Sequence, residues 1–427
     1  MEVSSSSSSA AAEVPHYFLC PISLEVMRDP VTLATGITYD RGSIERWLFT
    51  DGHATCPVTR RALSPDEMDA TPNHTLRRLI QAWCAAHQVE RFPTPRPPLD
   101  SSRVAALIDG GDAAAALRGI KAAAAESDRN RRCVASTPGA IEFLVSVITK
   151  HSKSSASSSS FMEMEAMLDL DSPKTPASSP AEDALGVLYS LKPSERTLSQ
   201  ILETNPEFLD TLTTVLRRPS YRSRTYGILL VKAMVSAAMD PSRLAAATSD
   251  LVAETVRVIS DRVSAKAVKA ALHVLCRLCP WGRNRVKAVE AGAVAAMVEL
   301  LLDEGSHRRV AELAVVAVDH LCGCAEGRAE LVAHPAGLAV VAKKAMRVSL
   351  AATESAVRAL HAVARHSPTP AVLQEMLAVG VVAKLMLVLQ VDVGEKARLR
   401  AKEMLKAHAR AWKDSPCLQA HLKASYP

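Results

Sequence analysis

The sequence predicts a mostly α-helical protein: a small α+β module at the N-terminal end, then a long α-solenoid. Three observations predict it. Of the 427 residues, 48% are apolar but only 4% are aromatic; alanine, leucine and valine supply most of the apolar surface, which suits helices packed on helices better than a β-sandwich. A period runs through the later chain, where Leu191, Val235, Leu278, Leu321 and Val363 each close a long apolar helical pattern, at steps of 44, 43, 43 and 42 residues. The stretch from Val14 to Val89 lacks that period and carries loops and short β-branched runs instead. A chain this long divides into two or more domains.

Residues Met1 to Ala12 are mostly serine and alanine, without the charged start and apolar run of a signal peptide, and are expected to be a disordered tail. Val14 to Met27 reads as an irregular loop. Val31-Thr32-Leu33 and Ile37-Thr38-Tyr39 flank Ala34-Thr35-Gly36, a short hairpin with glycine available for a positive φ. Asp40 is placed as the N-cap of a short helix on which Ile44, Trp47 and Leu48 share a face. A second loop carries Asp51 to Pro57. Asn73, after Pro72, caps another helix whose Leu76, Leu79, Ile80 and Trp83 share a face. Two loops around a hairpin and a central helix is the cross-braced plan of RING-like domains. A zinc version needs paired Cys and His ligands at both loops. Cys20 is followed by Ser23 and Leu24, and Cys56 by Pro57, Val58 and Thr59, so four ligands cannot be assembled at either loop. No metal is expected, and Glu25, Asp29, Asp40, Arg41 and Thr59 are candidates to brace the loops with hydrogen bonds and ion pairs.

Arg91 to Pro98 cannot continue a helix and favours extended geometry, so residues 90–100 read as a Pro-rich linker. From Ser101 the pattern is helical. Gly292, Gly337 and Gly380 follow their anchors by about 14 residues, with apolar runs behind them, and one glycine per period of 42 to 44 is the armadillo or HEAT signature. Period alone does not separate the two. The step from Ala125 to Leu191 is longer by about 23 residues, and the excess is a serine tract followed by Phe161 to Asp171, read as a disordered insertion at about 151–180. Six or seven repeats then end in a capping helix around Glu395 to Trp412.

Four blocks, Phe18 to Pro30, Thr35 to Arg41, Cys56 to Arg60 and Pro72 to Leu76, resemble the U-box, the zinc-free relative of the RING ubiquitin-ligase domain. The resemblance spans residues 13–89. Glu90 to Pro98 further resembles the linker of a plant subgroup of U-box proteins with armadillo repeats, associated with stress and immune signalling, and favours armadillo over HEAT for residues 101–427. The resemblance implies a ubiquitin-protein ligase that binds a ubiquitin-charged conjugating enzyme and passes ubiquitin directly to lysines of a protein substrate held on the solenoid. It implies that Ile22, Leu24, Trp47 and Pro57 form an apolar groove for the conjugating enzyme. It also implies that Arg60, or its neighbour Arg61, holds the thioester in an attack-ready pose, and that Cys20, Glu25, Asp29, Asp40, Arg41 and Cys56 belong to the network replacing zinc. Trp47 is equally readable as core. No cofactor is implied, and self-association through the U-box stays open. The alternative is a non-catalytic armadillo adaptor.

The net charge of +6 is spread along the chain, with no basic block interleaved with aromatics, so nucleic acid is not an expected partner. No run of about 18 uncharged apolar residues suggests a membrane span. Nine cysteines without disulfide spacing fit a reducing compartment, and a cytoplasmic location, with the nucleus open, is expected. Cys20 and Cys56 lack the basic partner of a nucleophile and read as structural. Cys276, Cys279, Cys322 and Cys324 lack histidine partners at ligand spacing and read as core. Thr94-Pro95 in the linker and Ser172-Pro173, Thr175-Pro176 and Ser179-Pro180 in the insertion are candidate proline-directed phosphosites. No lysine occurs before Lys121.

Overall fold

The computed structural model describes residues 14–87, 99–154, 179–237, 239–305 and 307–413. Residues 1–13, residues 88–98 with Thr94, and residues 155–178 with Ser172 and Thr175 lie outside them; Ser179 is described, and its hydroxyl caps the helix that starts at Pro180, accepting from Glu182 N at 3.2 Å. Contacts group the chain into two compact units, residues 1–144 and 145–427.

In the first unit, strands β1 (Pro30–Thr32) and β2 (Thr38–Asp40) form the expected antiparallel hairpin, Val31 facing Tyr39. Gly36 turns it at φ +82°, a conformation open to glycine because it has no Cβ. A third strand, β3 (Thr71–Pro72), pairs with the other edge of β1. Two residues are too few to show a period, so sequence pattern alone did not reveal it. Helix α1 (Arg41–Glu45) runs into a π-helical turn, Arg46–Thr50. Ile44 and Leu48 are buried and Trp47 partly so.

Asp40 stands at the N-cap position of α1, but its carboxylate does not cap the helix. Its Oδ1 accepts from the backbone N–H groups of Arg28 and Asp29, at 2.8 and 2.9 Å. Two amides of the first loop outcompete the helix end because one oxygen satisfies both. Helix α2 (His74–Ala86) is capped as expected, Asn73 Oδ1 accepting from Leu76 N at 3.0 Å. Leu79 departs from expectation and is 52% exposed. Ile80 and Cys84, four residues apart, define the inward line, and Leu79 lies about 100° round the helix from Ile80.

Helices α3 (Ser101–Asp109), α4 (Ala113–Glu126) and α5 (Asp128–Ser136) pack on one another, and α5 also packs on the Arg46–Thr50 turn. There the Arg132 guanidinium sits 4.1 Å from the centre of the Phe49 ring, and the Thr50 hydroxyl donates to Asp128 at 2.6 Å. The first unit therefore holds the sheet together with the first helices of the repeat region. Helix α6 (Ala140–Ser154) follows. It carries His151 inside its last turn, so the expected insertion boundary falls a few residues early.

The second unit is a ladder of helices. After α7 (Pro180–Ser190) come five triplets. They are α8 (Glu195–Thr204), α9 (Phe208–Leu216) and α10 (Tyr221–Ala237); α11 (Pro241–Ala245), α12 (Ser249–Ser260) and α13 (Ala265–Leu278); and α14 (Gly282–Glu290), α15 (Ala293–Leu302) and α16 (Arg308–Leu321). Then follow α17 (Ala325–Ala333), α18 (Gly337–Lys344) and α19 (Leu350–His366); and α20 (Pro370–Ala378), α21 (Val381–Gln390) and α22 (Glu395–Ala407). The third helices α7, α10, α13, α16, α19 and α22 pack each on the next, and all five anchors of the period are buried. Beyond α22, Trp412 is fully buried and its Nε1 donates to Leu373 O at 2.9 Å, closing the last triplet.

Gly292 and Gly380 sit at φ +79° where a first helix turns into a second, as the period implied. Gly337 does not. It is the first residue of α18, and a Cβ there would run into the Leu331 carbonyl. Close backbone approach, rather than φ, demands glycine at that repeat. Cys279 and Cys322 are buried in the ladder, and burial pushes both thiols up to about 12.

Candidate functional site

The two loops of the α+β module are built on one pattern used twice. Cys20 N donates to Glu25 O and Leu24 N to Cys20 O; Cys56 N donates to Arg61 O and Arg60 N to Cys56 O, all at 2.8–2.9 Å. Each turn is closed by an antiparallel bridge, Leu19 with Val26 and Thr55 with Ala62. In each, the fourth residue after the cysteine holds a positive φ, 58° at Leu24 and 56° at Arg60. Non-glycine residues adopt this region at a cost of roughly 1 kcal/mol or more, so the turn must be over-determined by what surrounds it.

Adjacent residues of β2 do that work. The Asp40 amide donates to Cys20 Sγ at 3.3 Å, and the Tyr39 hydroxyl lies 3.1 Å from Cys56 Sγ. One strand therefore ties down both loops, in the places where a RING would hold metal ligands. Thr35 Oγ1 donates to Cys56 Sγ at 3.4 Å. Burial pushes the Cys56 thiol up, but the hydroxyls of Thr35, Thr59 and Tyr39 outweigh it and bring it down to about 6. At Cys20 the burial effect is likewise outweighed, by the backbone amides of Ser23, Asp40 and Ile22, and the thiol is lowered.

A carboxylate–guanidinium network braces the first loop against the helices. Asp29 Oδ2 accepts from Arg41 Nε at 2.6 Å, and Asp29 Oδ1 pairs with Arg77 of α2. Arg41 also lies 3.7 Å from Glu45, whose carboxyl burial raises despite Arg41 and Arg129. Asp29, Asp40 and Arg41 were expected in this network. Arg77 and Glu45 were not, since nothing local marks one α2 arginine or one helical glutamate as inward-facing. Glu25 departs from expectation: its side chain is exposed and enters no ion pair among the described residues. Its backbone, not its carboxylate, serves the turn, because its carbonyl receives Cys20 N.

The turn tips present the remaining expected residues. Leu24 is 73% exposed, and Ile22 and Pro57 are half-buried. Val58, missed in the sequence, is 52% exposed beside Pro57, and its amide donates to the Tyr39 hydroxyl at 3.3 Å. Trp47 stacks on His53 with ring centres 4.0 Å apart, and its Nε1 donates to Thr55 O at 2.8 Å, joining the central helix to the second loop. Its ring is thus both partly packed on the core and partly open. Arg60 and Arg61 separate cleanly. Arg61 pairs with Glu67, which Ser64 also holds in a capping box, whereas the exposed Arg60 side chain has no ion-pair partner among the described residues.

A cross-braced module with two exposed turns, in which the described residues bring together no three or more His, Cys, Asp or Glu side chains able to hold a metal, ahead of a ladder of three-helix repeats, defines a U-box protein with armadillo repeats. The profile of the U-box domain matches residues 14–89, and that of the plant U-box protein ARM repeat region matches residues 100–427. The chain belongs to the plant family of U-box, armadillo-repeat ubiquitin-protein ligases, and is a ubiquitin-protein transferase of that type. The E3 ubiquitin-protein ligases PUB23 and PUB22 of Arabidopsis thaliana are 45% and 44% identical to it, over 97% of this chain and 97% and 99% of theirs. PUB24 of the same plant is 34% identical over 96% of this chain and 95% of its own. Among solved structures, a designed armadillo repeat protein aligns at a TM-score of 0.43 and 18% identity, covering 56% of this chain and 95% of that one. An engineered protein aligns at 0.47 and 18%, covering 72% and 71%.

Proposed function

We propose that the two turns receive a ubiquitin-charged conjugating enzyme, with Ile22, Leu24, Trp47 and Pro57 as the apolar contact and Arg60 orienting the thioester. The armadillo repeats hold the target protein. A target lysine amine then attacks the thioester carbonyl. A C–N bond forms, the C–S bond breaks, and sulfur leaves on the conjugating enzyme while the amine loses its proton. No bond to the ligase forms, and its buried Cys20 and Cys56 take no part. The ligase contributes geometry, fixing a reactive arrangement that diffusion would rarely sample. The resemblance at Glu90 to Pro98 supports a role in plant stress or immune signalling, and the cysteine usage supports a cytoplasmic setting, with the nucleus also open.

The observation that carries this reading is the contrast between neighbouring arginines. Arg61 is spent on Glu67, while Arg60, on a strained, exposed turn that matches the Leu24 turn, has no ion-pair partner among the described residues. A planar, permanently charged fork is suited to bridging two partners at once. Single-turnover discharge of a charged conjugating enzyme to free lysine tests it. Arg60→Ala lowers the rate tenfold or more with conjugating-enzyme affinity within about twofold; Arg61→Ala stays within about twofold in both. Ile22→Lys abolishes binding by placing a charge on the apolar contact. Normal discharge by Ile22→Lys removes the landing site from these turns.

A further inference from the structure

The third helices of the second unit expose a cationic strip. On α13, Lys266, Lys269, His273 and Cys276 fall at i, i+3, i+7 and i+10, one face of the helix; both lysines are exposed, and His273 and Cys276 are half-buried. The neighbours α10 and α16 bring Lys232 and Arg309 to the same face. Burial, with Lys232, Arg309 and Lys269 around it, holds the His273 imidazole below its usual range.

Toward α7 the strip becomes aromatic. Lys266 Nζ stands 4.7 Å over the Tyr189 ring, Tyr189 and Tyr226 have ring centres 5.9 Å apart, and Arg222 lies 5.9 Å from the Tyr226 ring. The two ends are neutralised: Arg222 lies 3.5 Å from Glu182, and Arg309 pairs with Glu312. Between them Lys232, Lys266 and Lys269 have no carboxylate partner among the described residues. Three ammonium groups beside a two-tyrosine shelf are complementary to an acidic chain carrying an apolar or aromatic side chain.

Geometry sets the length of that chain. Packed helices stand about 8–10 Å apart, so the three steps from α7 to α16 span roughly 25–30 Å. An extended chain advances about 3.3–3.6 Å per residue, so about eight or nine residues cross the strip, meeting a new helix every third residue.

We propose that the strip formed by Tyr189, Tyr226, Lys232, Lys266, Lys269 and His273 binds an extended acidic segment of the target protein, about nine residues long. Its carboxylates recur about every third residue, and an apolar or aromatic residue rests on the tyrosines. This deepens the reading of the repeats as the substrate-holding part, and rests on it.

The probe is a fluorescent nine-residue peptide with Glu at every third position, one terminal Phe and Ser or Gly elsewhere, with a Lys-for-Glu version as control, binding the full chain at low and high salt. The acidic peptide binds at least tenfold tighter than the basic one, and loses that advantage as salt rises. Lys232→Glu/Lys266→Glu/Lys269→Glu loses at least tenfold, while Lys402→Glu/Lys406→Glu on α22 stays within about twofold. Lys269→Gln, a surface change that leaves the helix intact, loses about threefold and stands in should the triple variant misfold. Discharge of conjugating enzyme to free lysine is unchanged in every variant. A fault in the U-box reading would instead appear as absent discharge by the unaltered chain. Equal binding of both peptides, or equal losses in the α13 and α22 variants, overturns the proposal. So does a tenfold gain on deleting residues 161–171, whose Glu163, Glu165, Asp169 and Asp171 would make the chain its own occupant.

Discussion

Tyr39 and Asp40 are consecutive residues that serve opposite ends of the module, one facing Cys56 Sγ and the other Cys20 Sγ. At these places the cysteine sulfurs accept hydrogen bonds, Cys20 from the Asp40 amide and Cys56 from the Thr35 hydroxyl. That makes the fold sensitive to pH in a defined window. The folded Cys56 thiol, at about 6, lies below its ordinary value near 9, so between those values the unfolded chain binds the extra proton. The contribution is absent below about pH 6, grows through the window and is complete above about 9. Protection factors of the β1–β3 amides in the full chain should rise from pH 6 to 9, and should rise less in Cys56→Ser. An unchanged slope in the variant assigns the pH dependence elsewhere. The strained turns make a second residue-scale expectation: Arg60→Gly gains about 1 kcal/mol of local stability while losing discharge as Arg60→Ala does. If stability and discharge fall together, the turn depends on the arginine side chain for its shape.

At the scale of elements, the repeat period was legible because each third helix must bury the same face against the one before it. The polar contacts that lock neighbours were not. Asp319 of α16 lies buried and pairs with Arg358 of α19, 39 residues on, and Asn284 Nδ2 donates to Leu244 O at 2.7 Å and Leu278 O at 3.1 Å. Such partners are distant in sequence and carry no pattern. The inter-helix glycines show the same division. Gly380 at φ +79° and Gly337 beside the Leu331 carbonyl look alike in sequence, yet predict different substitutions. Gly380→Ala is expected to lose about 1 kcal/mol and Gly380→Asn less, since asparagine tolerates the left-handed region. At Gly337 the order reverses: Ala is costly because backbone must move, by about 1–3 kcal/mol, and Asn is worse. Denaturant melts of the four variants check this, and equal losses at both sites would refute the distinction.

Across the whole molecule, two features bear on how the ligase acts. In the first unit α5 reaches the end of the central helix, with Arg132 over Phe49, so the module's stability extends past its own sequence boundary. A double-mutant cycle of Phe49→Ala and Arg132→Ala should give a coupling of about 0.5–1 kcal/mol, read from exchange of the β1–β3 amides; additive losses would mean the contact carries nothing. The second feature is the distribution of amines. With no lysine before Lys121, side-chain acceptors for self-modification begin there, because arginine stays protonated and cannot attack a thioester. Mass spectrometry of autoubiquitinated protein should find no lysine site earlier, and Arg78→Lys on exposed α2 should create one. Failure of that new lysine to be modified would show that α2 cannot reach the thioester.

The two-part architecture, the repeat period, the hairpin, the Asn73 cap and the place of Asp29, Asp40 and Arg41 in a loop-bracing network were all legible in the amino-acid order. Each of these is written in local order: alternation, helical spacing, a cap beside its helix, or motif blocks in fixed succession. Other features arise only once distant parts of the chain meet. The tertiary structure turned Asp40 from cap to loop brace, left Glu25 and Leu79 in solvent, and brought Arg77 to Asp29 across 48 residues. It also distinguished Arg60 from Arg61, since among the described residues Arg61 alone of the two has an ion-pair partner. A side chain's direction and its competition for partners depend on groups that folding brings near, and those groups are adjacent only in space.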